Sequence, residues 1–179
     1  MSDKTIYIQE IEKLKNDGNY SHALEIAQKY LSKYTDDYRL YEELADIYLF
    51  EGNLVKAERA MKFAQNLNPE SATGLYLSGY INISKGNFKL GVELLEKANE
   101  LFPNNPEILR NLGWGLNMVG QSKKGIIILK RALNIAPDDI LIMEDLGVTL
   151  MGDGQADLGE FYLRKAGRED KIEEMRKFL

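Results

Sequence analysis

The chain has 179 residues, of which 44% are hydrophobic and 28% are charged, and its formal net charge is −5. Acidic and basic residues are interleaved and form no basic stripe, so neither nucleic acid nor an anionic membrane is expected as a partner. The absence of cysteine excludes disulfides, thiol catalysis and cysteine-ligated metal.

A glycine recurs every 34 residues along the whole chain without a slip. This period is the length of a helix–turn–helix unit, and a fixed period predicts a stack of similar units. The predicted units are 4–37, 38–71, 72–105, 106–139 and 140–173, and the glycines that mark them are Gly18, Gly52, Gly86, Gly120 and Gly154.

The second unit shows what one period predicts. Gly52 can take the left-handed conformation that ends a helix, and Asn53 can cap the next one. Pro69 ends the second helix, because the residue before a proline is pushed out of the α region. The first helix has one apolar face, formed by Tyr41, Leu44, Ala45 and Tyr48.

Small residues recur where the two helices of a unit must touch. Glycine inside a helix costs about 1 kcal/mol relative to alanine, so its repeated use predicts a close approach of two backbones. These positions are Ala45, Gly79, Gly113 and Gly147 in the first helices and Ala57, Gly91, Gly125 and Gly159 in the second helices.

The pattern resembles the tetratricopeptide repeat (TPR) family over nearly the whole chain. The resemblance implies an all-α fold, a right-handed superhelical solenoid of helix–turn–helix repeats (an α-α superhelix), in a single domain over 1–179. The second unit carries the family signature at Tyr41, Leu44, Ala45, Tyr48, Gly52, Ala57, Ala64 and Pro69, and the fourth carries it at Leu109, Leu112, Gly113, Leu116, Gly120, Gly125, Ala132 and Pro137.

The two end units depart from this signature. The first has Glu10 and Ile11 in place of Leu-Ala, which is typical of an atypical N-terminal cap. The fifth has no closing proline, and its second helix is expected to run on into the C-terminal segment. Residues 170–179 are predicted to form a capping helix that covers the fifth unit with Ile172, Met175 and Leu179.

No residue pattern predicts catalysis. His22 is the only histidine and has no serine–acid set around it, so it is expected to be a solvated surface residue. The pair Asp138-Asp139 falls at a turn between units, which is typical of a helix cap rather than of a metal or acid–base site. We therefore expect no enzyme, no cofactor and no metal. The charged N-terminus and the lack of a long apolar run predict a cytoplasmic protein without membrane insertion.

The resemblance also implies a site, because first helices of such repeats line a concave groove in which peptides or partner helices dock. Its aromatic and apolar centre predicts ligand anchors, and the alternative is that these rings pack against the neighbouring unit. Acidic residues on both sides predict a partner with basic residues, and the alternative is an ordinary solvated face. The predicted groove residues are Glu42, Glu43, Asp46, Tyr76, Leu77, Tyr80, Arg110, Asn111, Trp114, Asn117, Met118, Glu144 and Asp145.

A second surface competes with this groove. Ile127 and Phe161 hold the same outward place in the second helices of units four and five, and this pair predicts a convex interface for a homo-oligomer. The alternative is coverage by the C-terminal helix. The leading hypothesis is a non-catalytic adaptor that binds a peptide or helix with apolar and basic residues in its groove. The alternatives are a self-assembling scaffold and a small client-binding chaperone of the secretion type.

Overall fold

A computed structural model describes residues 3–177 of the chain, with side chains from residue 6 onward. All regular elements in this range are α-helices, so the predicted all-α class of helix–turn–helix repeats is confirmed. None of these helices is long and apolar enough to cross a bilayer. They are α1 (Asp3–Asn16), α2 (Tyr20–Leu31), α3 (Tyr38–Phe50), α4 (Leu54–Leu67), α5 (Ala72–Ser84), α6 (Phe88–Leu101), α7 (Pro106–Met118), α8 (Ser122–Ile135), α9 (Ile140–Gly152), α10 (Ala156–Lys165) and α11 (Glu169–Arg176).

The chain divides into two compact units, Met1–Ile81 and Asn82–Leu179, and the boundary falls within α5. In the first unit, α2 and α3 each pack against α1, and α3 packs against α2 and α4. In the second unit, each helix from α6 to α10 packs against the next one along the chain, and α11 packs against α9 and α10. Each unit therefore buries its apolar faces between successive helices.

One hydrogen-bond pattern ends the first helix of each pair. The amide of Gly52 donates to the carbonyl of Leu49 (3.0 Å), and the amide of Asn53 donates to the carbonyl of Tyr48 (2.7 Å). This ending needs a residue with positive φ, which glycine adopts with little strain. Gly52 has a φ of 71°, and the other glycines of the 34-residue period are also left-handed, namely Gly18, Gly86, Gly120 and Gly154.

Asp37 both caps α3 and ties it to α1. Its buried carboxylate accepts hydrogen bonds from the Tyr7 hydroxyl (2.5 Å) and from Nε of Arg39 (2.9 Å). The ring of Tyr7 is stacked between those of Tyr30 and Tyr34. Burial alone would raise the pKa of Asp37, but the hydrogen bonds from Arg39 and Tyr7 hold it below its ordinary value. This cluster therefore fixes the start of α3 in the first unit.

The two helices of a repeat approach until their backbones touch, as the small residues predict. A methyl carbon placed on Gly125 would lie 2.6 Å from the carbonyl oxygen of Gly113. The contact recurs 34 residues later, where a methyl carbon on Gly159 would lie 2.7 Å from the carbonyl oxygen of Gly147. These glycines set the spacing between α7 and α8 and between α9 and α10.

The C-terminal segment forms a separate helix. The expectation that the second helix of the fifth unit runs into it is wrong, because α10 ends at Lys165 and Gly167 has a φ of 70°. Ile172 of α11 is buried with Met151 and Leu163, and Met175 packs against the same cluster. Leu179, expected in this contact, lies outside the described residues.

Substitution of Gly125 by alanine is expected to destabilise the protein by about 1–3 kcal/mol, since the added methyl group meets backbone rather than a movable side chain. Gly152→Ala is the matched control, because no atom lies within 4 Å of a methyl carbon placed there. We expect that control to be neutral or slightly stabilising. Urea unfolding followed by circular dichroism measures both, and equal stabilities would contradict the close contact.

Candidate functional site

The acidic residues predicted on α3 are buried or paired within the chain. Glu42 is only 5% exposed, and burial raises its pKa above the ordinary value. Nζ of Lys15 lies 2.6 Å from Oε2 of Glu43 and 2.6 Å from Oδ2 of Asp46. Asp46 keeps 45% of its side chain exposed. Lys15 therefore already occupies two of the carboxylates that the sequence assigns to a basic partner.

Two of the predicted anchors on α5 belong to the fold. Leu77 is buried in the core of the first unit together with Leu40 and Ile47, and Tyr76 packs against that core. The prediction that the core does not need these two places is wrong, because their side chains point into the first unit. Tyr80 is half-buried, and its role as an anchor stays a prediction.

Trp114 lies at the centre of the open face of α7. Successive helical residues are rotated by about 100°, so Gly113 and Gly115 flank Trp114 on opposite sides. Gly113 contacts the Leu129 side chain of α8, and Gly115 contacts Ile83, each so closely that no methyl group fits. The direction of Trp114 is therefore opposite to the buried side of the helix. The accessible residues of this face are Arg110, Trp114, Asn117 and Met118.

The other polar residues predicted on α7 are held locally. Asn111 is buried, and its Nδ2 donates to the carbonyl of Glu107 (2.9 Å). The Ser122 hydroxyl donates to Oδ1 of Asn117 (2.8 Å). Met118 is 41% exposed. Asn111 therefore supports the turn of the helix, whereas Met118 offers apolar surface.

The acidic pair of α9 also faces basic residues of its own chain. Nη1 of Arg168 lies 2.8 Å from Oε2 of Glu144. Nε of Arg110 is 3.8 Å from Oδ2 of Asp145, which is too long for a hydrogen bond. Burial raises the pKa of Asp145 to about 7, with Arg110 opposing the shift and Glu144 adding to it. Near neutral pH, Asp145 is therefore a weak source of negative charge.

The two residues of the predicted convex interface are accessible. Ile127 is 66% exposed and Phe161 is 57% exposed. Coverage of Phe161 by the C-terminal helix, the alternative that the sequence left open, is wrong. The buried side of α11 is centred on Ile172, which packs into the cluster of Met151 and Leu163. Both outward residues thus remain candidates for an interface.

The titratable residues singled out in the sequence lie on the surface. Nδ1 of His22 is 3.3 Å from Oε2 of Glu25 on the exposed side of α2. The carboxylate of Asp139 accepts hydrogen bonds from the amides of Leu141 (2.9 Å) and Ile142 (3.0 Å), as a helix cap does. In the part of the chain that the structure describes, no three His, Asp or Glu side chains are grouped to hold a metal ion.

Sequence reasoning missed a cleft of about 500 Å³ between α6 and α8. Its floor comes from α7, and its two walls carry charges of opposite sign. The signal was present, because an alignment of the units shows leucine in the fourth where the second has tyrosine. The lining residues are Glu96, Asn99, Glu100, Leu112, Leu116, Lys124, Ile127 and Ile128.

The paired helices, the left-handed glycine turns and the 34-residue period define a helix–turn–helix repeat protein. Residues 72–105 match the family described as Tetratricopeptide repeat. The chain is a tetratricopeptide repeat protein, and this repeat is typically a non-catalytic module for protein interaction. Its general role is therefore that of a protein-interaction adaptor or scaffold.

Known proteins share this repeat architecture. The TPR repeat-containing protein PA4667 of Pseudomonas aeruginosa is 28% identical over 111 residues, which is 61% of this chain and 19% of that protein. A crystal structure of MamA is 23% identical with a TM-score of 0.66, covering 95% of this chain and 93% of that one. MamA of Desulfovibrio magneticus RS-1 is 18% identical (TM-score 0.71, 97% of each chain). PilF of Pseudomonas aeruginosa is 16% identical (TM-score 0.72, 92% and 75%). At these identities, the structural likeness concerns the fold.

Asp145 should make the stability of the protein fall as the pH rises from about 4 to about 7. Its pKa is raised in the folded state, so the folded protein holds a proton that the unfolded chain has lost over this range. Asp145→Asn is expected to flatten this slope, whereas Asp138→Asn, which removes an exposed carboxylate of the same unit, should keep it. Urea unfolding at several pH values measures the slopes, and an unchanged slope in Asp145→Asn would contradict the assignment.

Proposed function

We propose that the chain is a non-catalytic adaptor that binds a peptide or an amphipathic helix of another protein on the open faces of its first helices. Trp114 is the central anchor of this proposal, and Met118 extends its apolar surface. The ligand carries apolar side chains together with basic residues. The position of Trp114 on α7 is the observation that carries the proposal.

Trp114 has the geometry of a preorganised anchor. Gly113 and Gly115 seat α7 against neighbouring helical segments on two sides, which fixes the direction in which the indole projects. A rigid scaffold loses little conformational freedom when a ligand binds, so more of the contact energy appears as affinity. Tryptophan is also enriched among the residues that dominate binding energy. The open face of α7 is thus suited to bury an apolar side chain.

Charge contributes less than the sequence alone predicts. Glu43 and Glu144 already pair with Lys15 and Arg168, so a basic ligand side chain must share or displace these cations. Asp46 retains the most accessible side chain of the acidic residues predicted on α3. We therefore expect apolar burial to supply most of the affinity, and basic residues of the ligand to steer its approach.

Trp114→Ala is expected to weaken ligand binding by about 1–3 kcal/mol without loss of helicity. Affinity capture from native lysate, compared between wild type, Trp114→Ala and the double variant Tyr80→Ala, Trp114→Ala, identifies the ligand. Phe102→Ala is the matched control, since it removes an exposed aromatic ring outside α7. Trp114 is the only tryptophan, so its fluorescence then reports titration of the captured protein.

Two results would contradict this proposal. Loss of helicity in Trp114→Ala would make the tryptophan a structural residue of the second unit. Capture of the same proteins by wild type and by both variants would show that the face of α7 is not used.

A second candidate function is self-association through the second helices, and the exposure of Ile127 and Phe161 favours it. Monomeric proteins rarely leave large apolar residues grouped at equivalent places of successive repeats. If these residues form the interface, the mass of the wild type should rise with concentration. Introduction of Ile127→Glu and Phe161→Glu should abolish that rise in sedimentation velocity, and an unchanged rise would remove this candidate.

A further inference from the structure

The cleft of the second unit is a groove between two second helices. α6 and α8 both pack against α7, and Leu112 and Leu116 of α7 form the floor between them. Ile127 and Ile128 of α8 line one wall. The groove therefore offers an apolar floor of roughly the width of a side chain, open to solvent.

The equivalent place in the first unit, 68 residues earlier, is filled by the chain's own side chains. The rings of Tyr41 and Phe63 stack with their centroids 5.4 Å apart. Nζ of Lys56 lies 5.2 Å from the centroid of the Tyr48 ring. The cleft that remains there has a volume of about 280 Å³.

In the second unit, the residues at these places leave the groove open. Leu109 and Leu116 replace the two tyrosines, so Lys124 has no ring to cover. Arg131 replaces the phenylalanine, and its guanidinium instead binds Oδ1 of Asn104 through Nη2 (2.5 Å) and Nε (3.1 Å). The volume of about 500 Å³ is thus a consequence of these substitutions between repeats.

The α6 wall of this groove lacks cationic partners. Glu96 and Glu100 lie one helical turn apart, where like charges repel, and neither makes an ion pair within residues 3–177. Oδ1 of Asn99 is buried and accepts no hydrogen bond. A ligand that places a cationic donor here would relieve the repulsion and satisfy acceptors of this wall. The groove therefore fits an apolar side chain that has a lysine or an arginine beside it.

The chain itself presents this combination on α10. Phe161 is exposed, and Arg164 and Lys165 follow it by three and four residues on the same face of the helix. The Arg164 side chain is 58% exposed and shares Glu160 with Arg176, so it can still offer donors to another carboxylate. Leu158 adds apolar surface one turn earlier.

We infer that a second copy of the chain docks its α10 into the α6–α8 groove. Phe161 of one copy lies on the floor of the groove, and Arg164 and Lys165 face Glu96 and Glu100. This inference rests on the second candidate function, self-association, and assigns its two contact surfaces. Because the surfaces differ, each copy can be both donor and acceptor, and association continues into a ring or a linear chain of copies.

A charge exchange tests the pairing. The groove variant carries Glu96→Lys and Glu100→Lys, and the helix variant carries Arg164→Glu and Lys165→Glu. Each variant alone is expected to associate at least about tenfold more weakly than the wild type, and an equimolar mixture should recover association, because opposite charges then meet at the contact. Sedimentation velocity over a concentration series measures the mass, after circular dichroism has shown unchanged helicity.

The matched control carries Arg59→Glu and Lys62→Glu, which change the net charge as the helix variant does and flank the exposed Phe63 of the first unit. It should associate like the wild type. Association of the wild type that both charge variants leave unchanged would overturn the pairing while self-association stands. A mixture without recovery, or a loss in the control alone, would also overturn it. A wild type that stays monomeric throughout would overturn both.

Discussion

The backbone contact between the two helices of a repeat is the constraint on which the other features depend. In the second unit, the carbonyl of Gly113 leaves no room for a side chain on Gly125, and the same holds for Gly147 and Gly159. A helix held this closely has a fixed rotation about its axis. Its core face, its turn and its outward face are therefore determined together.

Functional differences arise at equivalent places of this constant frame. The first unit fills the space between second helices with aromatic stacking of Tyr41 on Phe63, whereas the second unit leaves a groove. On the first helices, the indole of Trp114 projects from a helix whose other sides are occupied. Accessible apolar groups, and not reacting groups, thus distinguish the surfaces of this protein.

The sequence predicts the local features well, because they depend on residues close to one another along the chain. Gly52 ends one helix and Asn53 caps the next through hydrogen bonds that span at most five residues. Prediction fails where side chains from distant segments compete for the same space. The pairing of Lys15 with Glu43 and the burial of Leu77 depend on how helices stack, which the spacing of residues does not encode. The α6–α8 groove results from missing bulk, and a motif search does not register missing bulk.

The most direct test of the account is whether Trp114 is open to solvent in the free, folded protein. As the only tryptophan, it gives a fluorescence signal that a neutral quencher such as acrylamide can titrate in native and in unfolded protein. The account predicts clear quenching of the native protein, at a rate constant below that of the unfolded chain. Quenching that begins only on unfolding, together with the blue emission of a buried indole, would contradict it.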